Sequence, residues 1–364
     1  MADPIDNPDA VPRFDERDTM FARMARRSGT PAYEDYYRLR PDLQRSDDRL
    51  RSLTPLLQPG ARHYDPTLSP EADRLFAAID DLGPEPEKVS AWTVRLRESD
   101  DLDREVRRLL LDLGAVAVGV APVDPAWVYT HKGRHDDVYG REVSLDHPRA
   151  VVFLVEMDHA AMRSSPRAPT ILESARQYHR AAQIAFTAAA VLRGLGAQAK
   201  PHYDAHYDVI LPPLAVAAGL GELGRNNILV ADRFGSRVRI GAITTDLDLR
   251  EDAPVDLGVR RFCGICLKCA ENCPSQALSL EEPVPVRGVV KWPTDDVRCY
   301  GYWRVVGTDC GVCMACCPFS HRDNAFHNMV RWAVRRIPSA HRMFKFLDDL
   351  FYGRRWTAKN GGSR

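Results

Sequence analysis

The chain has 364 residues, of which 45% are hydrophobic and 27% are charged. These fractions are ordinary for globular protein and exclude wholesale disorder and a membrane bundle, while the length allows two domains. Fifty basic and fifty acidic side chains cancel to a formal net charge of zero. No net field therefore favours nucleic acid, and we expect no nucleic-acid partner.

Targeting segments are not visible in the sequence. No run approaches the roughly eighteen apolar residues of a membrane span, and no apolar segment follows the Arg26–Arg27 pair. We expect a cytoplasmic protein with no integral membrane segment. A twin-arginine export signal trimmed from a precursor would leave the same sequence, and a separate membrane-anchor partner is compatible with it.

The first part of the chain reads as helices and loops, and an α/β pattern follows. Residues 1–100 are rich in Arg, Asp and Pro with helical patches such as 71–82, which predicts a helical, loop-rich N-terminal wrap. A helical period over 102–114 then precedes two predicted buried strands, 115–122 and 149–157. Because helices and strands alternate, we expect an α/β core over residues 101–257.

The strongest helix prediction covers residues 172–195. Ala175, Tyr178 and Ala182 fall on one of its faces, and Gly194 and Gly196 mark its end. A glycine-punctuated segment follows and closes in a predicted strand, 237–245. A cysteine module over 258–322 comes next, and we expect the helical tail, 323–364, to pack on the core.

All nine cysteines lie between Cys263 and Cys317. The run begins with Cys263, Cys266, Cys269 and Cys273-Pro274, which is the bacterial C-x2-C-x2-C-x3-C-P spacing. In that pattern three thiolates bind one [4Fe-4S] cluster and the fourth binds its neighbour. A structural zinc site would have no use for the last cysteine-proline step. The block therefore predicts a ferredoxin-like module with two [4Fe-4S] clusters.

The second half of the block allows two registers. After Cys299, the run Cys310, Cys313, Cys316, Cys317 offers either of its last two cysteines as a ligand. We favour Cys317, because Cys317-Pro318 repeats the Cys273-Pro274 pair. One cluster then uses Cys263, Cys266, Cys269 and Cys317, and the other uses Cys273, Cys299, Cys310 and Cys313. Cys316 is left as a buried thiol.

With these motifs in view, the chain resembles the catalytic subunit of the corrinoid-dependent reductive dehalogenases, a family related to epoxyqueuosine reductase. The matching pieces, in order, are Arg13-Phe14-Asp15 with Phe21, Tyr178, residues 212–227, residues 234–247, both cysteine runs, residues 299–303 and residues 347–353. The resemblance implies a base-off cobalamin in a nitroreductase-like α/β core. It also implies a small-molecule organohalide substrate.

The expected chemistry agrees with this resemblance. Reduction of cobalamin to Co(I) requires a very low potential, and iron–sulfur clusters reach down to about −700 mV. Two clusters would relay electrons from a soluble low-potential donor such as a ferredoxin or flavodoxin. The halide then leaves, and a protein acid supplies a proton to carbon. The resemblance assigns that role to Tyr178, which would otherwise be interpreted as a core residue.

One position departs from the family pattern. The dehalogenases carry Lys or Arg three residues after the Arg of the V-R pair, whereas here Arg239 is followed by Ala242. A neighbouring cation lowers the pKa of a phenol by stabilising phenolate. Without that cation, either the proton transfer or the substrate class would differ from the family pattern. Arg237, Arg239 or His179 could supply the positive charge instead.

Residues 219–227 form the candidate corrinoid loop. Gly221 and Gly224 would let the backbone approach a large planar ligand, and Arg225, Asn226 and Asn227 could hydrogen-bond its amides and phosphate. The alternative is a tight turn. Met157, Arg239 and Thr244, in or near the predicted strands, are further candidate contacts.

Two other functions compete with dehalogenation. Epoxyqueuosine reductases share the Arg-x-Tyr-His stretch seen at 176–179, but they place an Asp proton donor where this chain has Gln177. A corrinoid carrier with an attached ferredoxin would bind without catalysis. His202 and His206 have the i, i+4 spacing of a metal site, yet the adjacent Pro201 indicates a loop, and we favour no metal there.

Overall fold

The computed structural model describes residues 11–82, 100–287 and 289–358. The expectations for residues 1–10 and 83–99 of the wrap and 359–364 of the tail lie outside these ranges. The helices before the cysteine module are α1 (Met20–Ala25), α2 (Pro31–Leu39), α3 (Pro41–Arg51), α4 (Leu68–Asp81), α5 (Asp100–Asp112), α6 (His159–Met162), α7 (Ala168–Gly194) and α8 (Leu211–Ala217). Those of the module and tail are α9 (Val259–Cys266), α10 (Lys268–Glu271), α11 (Asp296–Val306), α12 (Val312–Ala315), α13 (Ala325–Arg336) and α14 (His341–Tyr352).

Four strands form the central sheet. They are β1 (Ala117–Pro122), β2 (Arg149–Glu156), β3 (Ala199–His202) and β6 (Val238–Thr245), joined in the order β1-β2-β6-β3 with every neighbouring pair antiparallel. Two small hairpins complete the strands, β4 (Glu222–Leu223) with β5 (Leu229–Val230), and β7 (Val284–Val286) with β8 (Val289–Lys291). The predicted α/β class is confirmed, and the predicted strands and long helix are present.

Helices cover both faces of the sheet, which explains why strand β2 is apolar at nearly every position. Val151, Phe153 and Val155 pack against the alanines of α7, whereas Val152 and Leu154 pack on the side of α8. Side chains alternate between faces along a strand. Because both faces are buried, the hydrophobic run of β2 shows no alternation with polar residues.

The N-terminal segment is fixed to the rest of the chain by arginines that donate to backbone carbonyls. Arg13 donates to the carbonyls of Val128 and Val143, and Arg26 donates to the carbonyl of Gly133 at 2.7 Å. From the cysteine module, Arg304 donates to the carbonyl of Thr54 at 2.9 Å. The described part of residues 1–100 thus lies against both the sheet domain and the module.

The helices of the tail pack chiefly on the cysteine module. Val334 of α13 belongs to the same buried cluster as Phe262 and Cys263 of α9, and His341 lies edge-on to Phe262 with ring centroids 5.6 Å apart. The tail also reaches the core: Asp323 pairs with Arg233 at 2.6 Å, Val334 shares its buried cluster with Val230 of β5, and the indole of Trp356 donates to the carbonyl of Ser165 at 2.9 Å. The apolar stripes of α13 and α14 could not show which domain they cover.

The described ranges of the chain contain no helix with the length and apolar character needed to cross a bilayer.

Candidate active site and cluster module

Tyr178 lies on α7 beside a cation and an aromatic ring. The Arg239 guanidinium of β6 lies over the phenol ring, 4.4 Å from its centroid, and Phe76 of α4 lies 6.3 Å away, centroid to centroid. The position results from sheet alternation: Arg239 points to the α7 face of the sheet, as does Ile243, which packs among the α7 alanines. The structure therefore brings Tyr178 and Arg239 together.

Arg239 is held in turn by Asp309 and Ser174. Its terminal nitrogen donates to the Ser174 hydroxyl at 2.7 Å and lies 3.2 Å from the Asp309 carboxylate, and Ser174 donates to the same carboxylate. The side chains of Arg239 and Asp309 are 12% and 13% exposed, so the pair is shielded from water. Asp309 thus fixes the guanidinium over the phenol.

Burial and Arg239 act in opposite directions on Tyr178. Burial raises the pKa of Tyr178 above its ordinary value, and the positive charge of Arg239 opposes that rise. Burial likewise raises the pKa of Asp309, again against the effect of Arg239. The phenol therefore carries its proton at neutral pH, and the positive charge of Arg239 favours the phenolate over what burial alone would allow.

The fold shows where Ala242 lies, the position at which the family pattern has Lys or Arg. Ala242 pairs with Val152 in the sheet and is fully buried on the α8 face. A cation at this position would point away from Tyr178. Arg239, named above as one of three replacements, is the residue that lies beside the phenol.

Arg134 and Asp204 form a second charged pair whose charges also act on Tyr178. Their side chains are 3.2 Å apart. Tyr207 lies beside them, and burial raises its pKa to about 12 against the effect of Arg134. Sequence reasoning missed this pair because its members are 70 positions apart and carry no motif. Asp309 could have been found, since it directly precedes a predicted cluster ligand.

The cysteines fall into two groups whose thiols influence one another. The pKa of Cys263 is raised by burial and then by Cys317 and Cys266, and the pKa of Cys310 is raised to about 12 by burial, with Cys299 and Cys273 adding to it. Cys269 of the first set is also influenced by Cys313 of the second, so the division into two ligand sets stays a prediction. Cys316 donates weakly to the carbonyls of Lys268 and Cys313, at 3.9 and 3.8 Å, but its charge also acts on Cys269. The choice between Cys316 and Cys317 stays a prediction.

The second set of cysteines adjoins the Tyr178 site. Asp309, which holds Arg239, is bonded through one peptide to Cys310. Close packing keeps this segment against the core, because a Cβ at Gly311 would lie 2.8 Å from the Ser165 hydroxyl and from Thr170 of α7. The cluster expected at Cys273, Cys299, Cys310 and Cys313 would therefore be the nearer one to Tyr178.

The predicted corrinoid loop overlaps the hairpin β4–β5, whose side chains hydrogen-bond to the cysteine module. The Glu222 carboxylate accepts from the backbone of Leu257 and Val259 at 2.7 and 3.0 Å, where helix α9 begins. The fully buried Arg225 donates to the carbonyls of Cys263, Ser279 and Glu281 at 3.2, 2.9 and 3.0 Å. The Arg225 guanidinium is therefore already occupied.

The glycines and asparagines of this hairpin have similar explanations. A Cβ at Gly221 would lie 2.4 Å from the Val230 carbonyl oxygen, and one at Gly224 would lie 2.9 Å from the Asn226 side chain, so close strand approach alone requires glycine at 221. The Asn227 amide donates to the Trp292 carbonyl at 2.7 Å. Among described residues, the Asn226 amide nitrogen is buried without a hydrogen-bond partner.

The remaining candidate contacts are dispersed. Met157 is fully buried and packs with Ile228 at the tip of the hairpin and with Cys313. Thr244 points to the α8 face, where its hydroxyl lies 2.9 Å from a ring nitrogen of His147 and 2.9 Å from one of His202. The structure thus places Met157 near the second cysteine set, and it does not bring Thr244 together with Tyr178.

Comparison with known families agrees with the cysteine block. Residues 262–321 match the 4Fe-4S dicluster domain family. The prediction of an iron–sulfur module at this place in the chain is confirmed.

Relatives cover much more of the chain. The tetrachloroethene reductive dehalogenase of Dehalobacter restrictus (strain DSM 9455 / PER-K23) is 30% identical over 305 residues, which are 71% of this chain and 55% of that protein. The epoxyqueuosine reductase of Lactococcus garvieae (strain Lg2) is 33% identical over 120 residues, 30% of this chain and 33% of that protein. The chain spans about half the length of the first of these relatives.

A solved structure supports the same fold. A reductive dehalogenase described with a mechanism for B12-dependent dehalogenation superposes with a TM-score of 0.72 at 24% identity, covering 97% of this chain and 48% of that one. This likeness extends over nearly the whole chain and establishes the fold.

Proposed function

The chain is a relative of the reductive dehalogenases in sequence and in fold, as its motifs predicted, and we propose that it is one: an oxidoreductase that replaces the halogen of a small organohalide by hydrogen. The reaction consumes two electrons and one proton and releases halide. The observation that carries the proposal is the contact of Tyr178 with Arg239, whose partner Asp309 directly precedes Cys310. The proposed proton donor and the proposed electron source would thereby be adjacent.

Iron–sulfur clusters fit the cysteines that are present. Buried thiols such as Cys266 have a pKa raised to about 12, chiefly by burial, so as thiolates they need the positive charge that iron supplies. We propose that Cys263, Cys266, Cys269 and Cys317 hold one [4Fe-4S] cluster, and that Cys273, Cys299, Cys310 and Cys313 hold the other. Electrons would enter from a soluble low-potential donor such as a ferredoxin or flavodoxin.

A corrinoid fits the polar atoms around Tyr178. In the described part of the chain, Gln177 Oε1, Arg239 Nε and Asp309 Oδ1 near Tyr178 are buried without hydrogen-bond partners, and so is Asn226 Nδ2 in the β4–β5 hairpin. Buried polar atoms are seldom left unpaired, so these suggest a polar ligand. We propose a base-off cobalamin in a nitroreductase-like core, near Arg239, Asn226 and Met157. When bound and reduced through the clusters, it supplies the electrons that cleave the carbon–halogen bond.

Side chains of the protein supply the proton and stabilise the group that gives it up. Tyr178 holds it on the phenol oxygen and donates it to the carbon that loses halide. Arg239 stabilises the resulting phenolate, and Asp309 with Ser174 keeps the guanidinium in place. Phe76 packs near the ring, 6.3 Å away between centroids, which limits the access of water to the phenolate. Reprotonation from solvent would complete the cycle.

The division of the chain follows the same proposal. Residues 1–100 would form the wrap, 101–257 the cobalamin-binding core, 258–322 the two-cluster module and 323–364 the tail. The packing of α13 on α9 places the tail beside the first cysteine set. Electrons would therefore enter on that side and leave toward Tyr178.

The decisive experiment is anaerobic turnover with reduced viologen, using a panel of halogenated phenols and chloroethenes. Protein reconstituted with about eight irons and one cobalt per chain should release halide, and Tyr178→Phe should lower the rate by about 10²–10⁴-fold. Tyr139→Phe is the matched control, since Tyr139 packs against the tyrosines of α2 and its hydroxyl donates to the Asp35 carboxylate at 3.2 Å. The control should retain full turnover.

Other outcomes would separate the competing functions. Fully loaded protein that is reduced at cobalt but releases no halide from any substrate would indicate a corrinoid carrier. Halide release at equal rates in Tyr178→Phe and wild type would remove the tyrosine from the mechanism. Failure to bind cobalt would leave only the cluster module.

A further inference from the structure

Three side chains that can bind a metal come together next to the Arg134–Asp204 pair, although they lie far apart in the sequence. Asp80 lies in the last turn of helix α4, His135 lies in the loop after β1, and His206 lies in the turn after β3. One potential ligand atom from each lies within 4.8 Å of the other two. We propose that these residues bind a divalent transition metal, with zinc as the best match to a site of two imidazoles and one carboxylate.

The distances suit such a site. His206 Nε2 lies 3.6 Å from an Asp80 carboxylate oxygen, which is too long for a good hydrogen bond. It is close to the ligand–ligand edge of about 3.3–3.5 Å that tetrahedral zinc with bonds near 2.0–2.1 Å requires. Within the described ranges, His206 Nε2 is buried and has no hydrogen-bond partner. An unpaired buried nitrogen facing a carboxylate is the expected state of an empty ligand set.

His135 is oriented as a metal ligand usually is. Its Nε2 lies 3.2 Å from the carbonyl oxygen of Ala205, so a proton on that nitrogen would leave the Nδ1 lone pair for a metal. Metal-bound histidines commonly donate their second nitrogen to a carbonyl or carboxylate in this way. The imidazoles of His135 and His206 lie close together, with ring centroids 4.6 Å apart.

The local charge permits a cation. Arg134, the nearest positive side chain in sequence, is paired with Asp204 at 3.2 Å, so its charge is compensated. The Asp80 side chain is 58% exposed, which gives a path for the ion and room for water as a fourth ligand. His202, the other half of the i, i+4 pattern, is not part of the site, because its nitrogens contact Thr244 and the backbone of Asp208.

A metal here would link three segments, two of which hold charged residues that act on Tyr178. Arg134 adjoins His135, and Asp204 and Tyr207 flank His206, and the charges of Arg134 and Asp204 act on Tyr178. The ion would fix these groups relative to α4. The inference is independent of the proposed function, because metal binding can be measured without turnover.

The test uses the full chain loaded with clusters and cobalamin. After brief treatment with chelator and desalting, the protein is equilibrated with buffered zinc chloride, and zinc, iron and cobalt are determined together. Wild type should retain about one zinc per chain, and Asp80→Asn and His206→Gln should each weaken zinc binding at least about tenfold. His63→Gln is the control and should bind as wild type does.

X-ray absorption at the zinc edge separates this site from zinc that replaces cluster iron. Nitrogen and oxygen neighbours alone support the proposal, whereas sulfur at about 2.3 Å overturns it. Equal zinc binding by wild type and Asp80→Asn also overturns it, and so does wild type that retains no zinc. Asp80→Asn decides the matter if His206→Gln fails to load iron, because Asp80 is largely exposed and its replacement leaves the fold intact.

Discussion

The cysteine module and the Tyr178 site differ in how their residues are brought together. In the module, the cysteines occur within one continuous stretch, and residues 262–321 match a known domain family. At the Tyr178 site, separate elements each contribute one or two residues: Phe76 from α4, Ser174 and Tyr178 from α7, Arg239 from β6, and Asp309 from the loop before Cys310. Local spacing therefore determines the first site, and the sheet determines the second.

This difference affects which variants are informative. In the module, a ligand can be replaced without moving the core, and the loss can be counted as iron. At the Tyr178 site, each residue also packs between elements, so a functional test needs a readout other than the loss of turnover.

The largest expected effect concerns the choice between adjacent cysteines in the module. Cys317→Ala should lower the iron content from about eight to about four per chain and reduce turnover to background, because electrons can no longer pass from the donor. Cys316→Ala should leave both iron and turnover unchanged. Iron analysis and electron paramagnetic resonance of the reduced proteins measure the outcome, and the reverse pattern would assign the ligand to Cys316.

A smaller effect is expected at the Tyr178 site when its cation is removed. Arg239→Gln should slow dehalogenation by about ten- to a hundredfold, because the phenolate left after proton donation loses its stabilising charge. The pKa of Tyr178, already above its ordinary value of 10.0 because of burial, should rise further. An acid must be protonated to act, so turnover should fall only at pH above that value, and the falling limb should move to still higher pH in the variant.

The control for this prediction is Arg239→Lys, which keeps the charge and should retain more of the rate. The pH profile distinguishes an electrostatic role from a structural one, since loss of packing would lower the rate at all pH values alike. A falling limb that moves to lower pH in Arg239→Gln would contradict the assignment.

The sequence predicted elements well and contacts between elements poorly. Strand β6 and helix α7 were visible as a buried run and an alanine stripe, because local periodicity reports burial. The sequence could not show that Arg239 faces Tyr178 while Ala242 faces away. Helices cover both faces of the sheet, so hydrophobicity does not reveal which side chains of β6 point to which face. The contact of Arg134 with Asp204 required loop conformations that no local pattern encodes.

The hairpin β4–β5 shows the same limit, because glycine and arginine in a loop fit a ligand-binding segment and a structural clamp equally well. The sequence suggested that residues 221–227 contact the corrinoid, whereas in the structure Arg225 donates to three carbonyls of the cysteine module and lies over Trp292, 4.6 Å from the ring centroid. Both roles predict an important residue. They differ in which cofactor is affected when it is replaced.

The smallest expected effect, and the sharpest test of the link between the two regions, is therefore Arg225→Met. Removing the guanidinium leaves buried carbonyls unpaired and should cost about 1–2 kcal/mol, which corresponds to cluster loss on heating that is roughly five- to thirtyfold faster. The affinity for cobalamin should not change. Arg261→Met serves as the control, because that exposed side chain pairs with Asp256 at 2.8 Å on the surface and such pairs contribute about 0–1 kcal/mol. Bleaching of the cluster absorption and a cobalamin titration measure both quantities in the same protein, and weakened cobalamin binding with stable clusters would return Arg225 to the corrinoid site.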